Sequence, residues 1–308
     1  MSPREEEVDM LRIGENLNVM VKRIGEAMKN KDPKPIQEMA IAEAEAGVDW
    51  IDINLGPARK GGEELMEWIV KTVQEVVDTP LFLDTTNIQA IEAGLRVYKP
   101  KKGKAVINSI MCREERMQVQ IPMAKKYDAG MVALLWGPEG LPRDASERSL
   151  LATDILTRAV EAGIAPEDIY VDPIITPVNV QQQQLMECLE FMRQLQEMAE
   201  VIAPGVNSTC GLSNCSNGAP DHLRPILNQT FMIILERYGM KTAIVDAFDK
   251  TLAAIARGER PDIVALVNRV LDGEPIDMAS LSKEEQDYVK TVRVLMGQTL
   301  YSDSWLEL

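Results

Sequence analysis

The chain has 308 residues, 45% hydrophobic and 26% charged, with a formal net charge of −15 and only 5% aromatics. Such a length suits one large α/β domain, and so few aromatics require an aliphatic core. A chain this acidic repels phosphate backbones and anionic membrane surfaces, which argues against nucleic-acid and membrane binding.

In chain order, Met10–Gly14 reads as a first strand opening onto the polar loop Glu15–Asn18. Pro33–Ala46 follows as a helix and Val48–Asn54 as an alternating strand. Glu63–Val77 is helical, Leu81–Asp84 a short apolar strand and Asn87–Val97 a helix. Ala105–Asn108 is the fourth strand. It precedes helix Arg113–Tyr127, in which Pro122 predicts a kink. Met131–Leu135 is a fully apolar strand, and Ser146–Ala162 a helix closed by Gly163. Strand Ile169–Asp172 leads through a polar loop to helix Gln181–Ile202. A weak strand Val206–Gly211, helix Arg224–Tyr238, strand Thr242–Val245 and helix Ala247–Arg257 complete eight strand–helix units.

Eight such units with short connections predict parallel pairing and a closed (β/α)8 TIM barrel over residues 10–257. Residues 258–308 read as a C-terminal helical extension packed on the barrel. Asp262–Leu271 is one of its helices, and a second starts at Ser280 or Ser282 and runs to about Leu300. No Gly-x-Gly-x-x-Gly follows the first strand, which argues against a dinucleotide fold.

Cys112, Cys188, Cys210 and Cys215 form no Cys-x-x-Cys pair, and His222 is the single histidine. A Cys/His metal site is therefore not expected, nor a triad built on imidazole. Free thiols point to a reducing cytoplasm. Met1–Asp9 is charged rather than apolar, unlike a signal peptide.

Chemistry concentrates at strand ends. Asp84, Asn108, Asp172 and Asn214 all fall where a barrel presents functional groups at its C-terminal rim. Carboxylates accept hydrogen bonds, while amides both donate and accept. Together they suit a flat ring edge carrying adjacent N–H donors, such as a pterin. No Gly-rich cradle or rim pair of Lys or Arg stands ready for a phosphate-rich ligand. A metal is not expected, because no single loop supplies several oxygen ligands. Each residue also has a plainer reading. Asp84 before Thr-Thr-Asn has the form of a helix N-cap, Asn108-Ser109 and Asp172-Pro173 that of turns, and Arg224 could cap its own helix or pair with Asp221.

Gly14-Glu15-Asn16-Leu17-Asn18, Leu83-Asp84-Thr85-Thr86-Asn87, Ile107-Asn108-Ser109, Tyr170-Val171-Asp172-Pro173-Ile174 and Gly211-Leu212-Ser213-Asn214 occur in that order. Together they resemble the methyltetrahydrofolate:corrinoid-protein methyltransferases. That family shares its pterin-binding barrel with dihydropteroate synthase and with the folate module of cobalamin-dependent methionine synthase. The resemblance implies transfer of a methyl group between a corrinoid (cobalamin) protein and tetrahydrofolate, with methyltetrahydrofolate as product in a demethylation pathway such as that of glycine betaine or methoxylated aromatics. It implies that Asp84, Asn108 and Asp172 hold the pterin and that Asn214 is the catalytic group at the methyl-bearing nitrogen. Gly14–Asn18 would line the same mouth, Arg224 would contact the folate or the corrinoid side, and Asn18, Arg224 and Asn217 would complete the pterin-binding set. It further implies a homodimer, with cobalamin arriving on a partner. The sequence departs from the family with Ile110-Met111 after Asn108-Ser109, with Asn217 where Gln is common, and with the segment from about residue 258 to 287. The alternatives are a dihydropteroate synthase-like enzyme or a non-catalytic pterin-binding module.

Overall fold

A computed structural model describes residues 10–307 of the chain. The expectation for Met1–Asp9 lies outside the described residues. Eight strands form the sheet: β1 (Leu11–Gly14), β2 (Trp50–Asn54), β3 (Leu81–Asp84), β4 (Val106–Met111), β5 (Gly130–Leu134), β6 (Ile169–Asp172), β7 (Asn207–Ser208) and β8 (Thr242–Val245). All pairings are parallel, in the spatial order 7-6-5-4-3-2-1-8. The last gap is closed sparingly. Ile244 N donates to Cys210 O at 2.8 Å, and Thr242 Oγ1 to Ser208 O at 2.9 Å. The result is the predicted (β/α)8 barrel.

Helices α1 (Lys22–Asn30), α2 (Pro33–Glu45), α3 (Gly62–Gln74), α4 (Ile88–Val97), α5 (Glu114–Lys126), α6 (Ala145–Glu161), α7 (Val178–Ile202), α8 (Arg224–Arg237) and α9 (Lys250–Ala256) clothe the sheet. Local chemistry sets their starts. Asp32, Asn87, Asp144 and Asp249 each cap a helix through side-chain bonds to its first amides. α10 (Pro261–Leu271) and α11 (Lys283–Leu295) lie against α8, with Tyr288 donating to Gln229 Oε1 at 2.7 Å. None of the described helices is long and apolar enough to cross a membrane.

Several boundaries differ from expectation for identifiable reasons. α1 is an added helix whose charged sequence buries only Ile24, Ala27 and Met28, so its apolar stripe is thin. β4 runs on to Met111 past a register shift between Ile107 and Ile110, a bulge that places Asn108 and Ser109. β7 shrinks to two residues. Its Ser, Thr and Asn content and flanking Gly205 and Gly211 favour single bridges over a ladder. α7 begins at Val178 and breaks at Gln181. The last helix starts at Ser282, which forms a capping box with Glu285, and stops at Leu295 as Gly297 turns left-handed at φ +69°.

Most of the aliphatic core lies between sheet and helices. A second, separate cluster fills the barrel itself: Ile13, Phe82, Val106, Val132 and Tyr170, joined by Trp50 and Ile244. Trp50, Phe82 and Tyr170 meet edge to face, with centroids 5.5 to 6.0 Å apart. This plug sits toward the N-terminal end. Side chains alternate along a strand, so the inward positions two and four residues further on form the opposite, C-terminal mouth.

Candidate active site

Those next inward positions are polar. Asn54, Asp84 and Asn108 are in register on adjacent strands. The Asn54 side-chain amide donates to Asp84 Oδ2, and Asn54 Oδ1 accepts from Gly56 N at 2.9 Å. One strand position deeper, Asp52 Oδ1 accepts from Asn108 Nδ2 at 3.0 Å. Each amide is thereby fixed in orientation by a carboxylate, and Asp84 Oδ1 keeps an open acceptor. Asp84 and Asn108 also border a small hollow of about 30 Å³ with Thr86, Met111 and Arg116. Asn18 joins the group through the backbone: it bridges to Asn54, and Val19 N donates to Asn54 O at 2.9 Å.

Asp172 ends β6 and is buried. Its Oδ1 accepts from Ile174 N at 2.8 Å, the local turn bond that the Asp-Pro reading foresaw. Ile174 itself sits at φ +67°. A β-branched residue enters that region at a cost of about 1–3 kcal/mol, so the surrounding contacts must hold it there.

A larger cavity of about 840 Å³ opens between the loops after β1, β7 and β8; Asn18 and Arg224 line it, whereas Asp84, Asn108, Asp172 and Asn214 do not. Glu15, Asn18, Ser213, Arg224, Asp246 and Lys250 contribute polar walls, and Met20 and Phe248 apolar ones. Glu15 Oε2 accepts from Ser213 Oγ at 2.8 Å, and Asn16 Nδ2 donates to Asp246 Oδ1 at 2.9 Å. Behind Glu15, the carboxyl of Glu43 on α2 accepts from Asn16 N at 2.9 Å while its Oε2 has no partner. Glu43 reaches in only because residue 14 is glycine: a Cβ there would overlap Glu43 Oε1. The absence of a rim pair of basic residues, expected from sequence, is corrected here. Arg224 and Lys250 both line the cavity, though four carboxyl groups, those of Glu15, Asp221, Asp246 and Asp249, line it too.

Asn214 is exposed in a short 3-10 turn, Leu212–Ser216, one residue beyond the Ser213 that bonds Glu15. Asn217 is exposed at the end of that turn and does not line the cavity. Arg224 opens α8, and its Nε donates to Ser216 Oγ at 3.3 Å instead of pairing with Asp221. Exposed His222 and the four buried free cysteines stand apart from this wall.

Burial dominates the electrostatics of the mouth. It pushes the carboxyls of Glu15, Asp84 and Asp172 up to about 7 and that of Glu43 to about 8. Asp52 is held well above the usual carboxylate range, by burial first and by neighbouring Asp84 second. Near neutral pH the Glu15, Asp84 and Asp172 carboxyls sit at the border between proton donor and anion, as a site that accepts N–H bonds and handles protons requires.

Asp52, Asn54 and Glu43 were not singled out from the sequence, whereas Glu15 fell within the Gly14–Asn18 stretch expected at the mouth. The signal for two of them was present: in Trp50-Ile51-Asp52-Ile53-Asn54 every second residue faces the barrel, and polarity rises toward the strand end.

Residues 14–246 match the family described as pterin binding enzyme. The chain belongs to the pterin-binding enzyme family. It is 30% identical over 239 residues to the methylcorrinoid:tetrahydrofolate methyltransferase of Eubacterium limosum, covering 77% of this chain and 85% of that protein. It is 25% identical over 256 residues to methionine synthase of Mycobacterium leprae, covering 80% of this chain but only 21% of that much longer protein. Among solved structures, dihydropteroate synthase from Xanthomonas albilineans superposes with a TM-score of 0.58 at 16% identity, covering 84% of this chain and 94% of that one. The last likeness shows the shared barrel, and the pterin-binding membership rests on the sequence match.

Proposed function

We propose that this pterin-binding enzyme transfers a methyl group from a methylated corrinoid protein to tetrahydrofolate. The observation that carries the reading is the polar mouth: Asp84, Asn108 and Asp172 present acceptors on three strands, and Asn214 is exposed on the turn beside Ser213, which lines the neighbouring cavity. The name of the Eubacterium limosum relative supports both the substrate pair and the direction. A demethylation pathway, of glycine betaine or a methoxylated aromatic, is the proposed setting, and the cytoplasm the proposed compartment. The chain is proposed to act as a homodimer, for which exposed Leu150 and Val201 offer apolar surface.

In this proposal the pterin edge donates to Asp84 Oδ1 and Asp172, and Asn108 adds its amide oxygen. Asn18 and Arg224 line the approach of the folate tail. The corrinoid, bound to its own protein, supplies the methyl group on cobalt. Asn214 directs its side-chain amide at the pterin nitrogen that receives the methyl, and Asn217 stands at the outer lip. Nothing in such a displacement requires a protein nucleophile. The protein contributes orientation, which is worth about 7–11 kcal/mol when reactants are held near attack geometry, and prearranged dipoles.

The test uses tetrahydrofolate with free methylcobalamin as donor. Asp172→Ala is expected to abolish folate binding in calorimetry. Asn214→Ala is expected to bind folate normally and lose about a hundredfold in methyl transfer. Wild-type transfer rates in Asn214→Ala would remove its assigned role. A folate-binding protein with no single-turnover transfer would favour the binding-module reading. The second reading, a dihydropteroate synthase, draws on the Arg224 and Lys250 pair in the cavity. Turnover of pterin diphosphate with p-aminobenzoate would decide for it.

A further inference from the structure

Arg148, on α6, is 0% exposed and is one of the largest fully buried side chains of the molecule. A guanidinium in such a place is costly, and an aliphatic residue would fill the space without that penalty. Its contacts explain what it holds. Nε donates to Pro173 O at 2.9 Å, and Nη2 donates to Gln184 Oε1 at 3.0 Å. Gln184 Nε2 in turn donates to Arg143 O at 2.7 Å. Nη1 is buried without a hydrogen-bond partner. The side chain thus links α6, the start of the loop after β6 and the first turns of α7. Within that loop lie Asp172, its bond to Ile174 N, and the left-handed Ile174.

The charges around this point are few. Facing the Asp172 carboxyl are Arg148 from α6, the Cys188 thiol from α7 and the Cys210 thiol after β7. Leu134, its register partner on β5, is uncharged. Burial pushes the Cys188 thiol up to about 12 and the Cys210 thiol well above its ordinary value, so both are neutral at physiological pH. Glu187 and Asp144 face Arg148 itself and favour its charged form, against the burial that disfavours it. Arg148 is therefore the cation that acts on Asp172 among the described residues.

We propose that Arg148 is a positioning residue for Asp172, fixing the 173–177 loop through Pro173 and supplying the positive charge that keeps the Asp172 carboxyl available as an anion at the mouth. The consequence for ligand binding rests on the folate reading above; the consequence for Asp172 does not. Burial raises the Asp172 carboxyl to about 7 against two opposing contacts, the bond from Ile174 N first and the charge of Arg148 second, and removing the cation leaves the Ile174 bond alone to oppose burial.

The experiment follows the Asp172 carboxyl in ligand-free protein by carbon-13 NMR, assigned by its absence in Asp172→Asn, for wild type, Arg148→Met, Arg148→Gln and Arg148→Lys. Both neutral variants are expected to raise the midpoint by about one pH unit, and the lysine variant to keep it near wild type. Tetrahydrofolate binding should be about fivefold weaker at pH 7 in the neutral variants and recover toward wild type at pH 9. A merely structural arginine would weaken binding equally at both values. Arg148→Gln keeps a donor for Pro173 and serves if Arg148→Met does not fold. An unmoved Asp172 midpoint in a folded neutral variant overturns the proposal. A wild type that binds no folate would instead remove the functional reading, while the carboxyl titration still decides the role of Arg148.

Discussion

The two ends of the barrel are built on the same strands and follow opposite rules. At the N-terminal end the inward residues of β1, β2, β3, β4 and β6 are Ile13, Trp50, Phe82, Val106 and Tyr170. Two residues later on the same faces stand Glu15, Asp52, Asp84, Asn108 and Asp172. One end gains free energy by excluding water from rings and aliphatic groups. The other retains carboxyls that burial makes reluctant to ionise. Within about 7 Å of strand, stability gives way to readiness for a ligand.

Four measurements test that contrast. Phe82→Ala removes a fully buried ring from the plug and is expected to cost about 3–5 kcal/mol in chemical denaturation while leaving folate affinity nearly intact. A stable Phe82→Ala protein with lost binding would erase the division between the ends. Asp84→Ala should do the reverse, weakening folate about a hundredfold, the worth of a charge-assisted acceptor of about 2–3 kcal/mol. Its melting temperature should hold or rise, because a buried ionisable group is gone.

The third concerns pH. Glu15, Glu43, Asp84 and Asp172 have folded-state values above their unfolded ones, so between about pH 4 and 7 the folded chain binds more protons than the unfolded chain. Stability from these groups is present at low pH and lost as pH rises through the folded values. Exposed Asp78, Glu92 and Asp272, held low by Lys101, Lys126 and Arg237, act in the opposite direction, but only near pH 4 and below. Ligand-free protein should therefore melt several degrees higher at pH 5.5 than at pH 8, whereas folate, favouring the anions, should narrow the gap. A melting temperature that climbs steadily from pH 5.5 to 8 without ligand would contradict the raised carboxyls. The smallest effect belongs to the flank: Tyr288→Phe loses its bond to Gln229 and should cost about 1 kcal/mol with no change in folate affinity.

Much of this was legible in the residues. Strands ending at Asp84 and Asp172 were readable to the residue, because an apolar run terminated by Asp marks both the strand and its polar end. What escaped depended on contacts distant in sequence. Asp52 reads as one more alternating residue until Asn108, 56 positions away, is seen to bond it. Arg148 reads as an ordinary helical arginine, since nothing local announces that its partners are Pro173 and Gln184. Asn217 followed from a resemblance to a loop, and an exposed loop end is where side-chain direction is least determined by sequence.

The close approach of Glu43 to Gly14 carries a consequence for how this sequence can diverge. A Cβ at position 14 would displace the end of the long acid at position 43, so the two are expected to vary as a pair across relatives. Gly14→Ala alone should be poorly tolerated, and Gly14→Ala with Glu43→Ala should be rescued. First strand and second helix thus constrain each other through one close approach that neither stretch discloses when read singly.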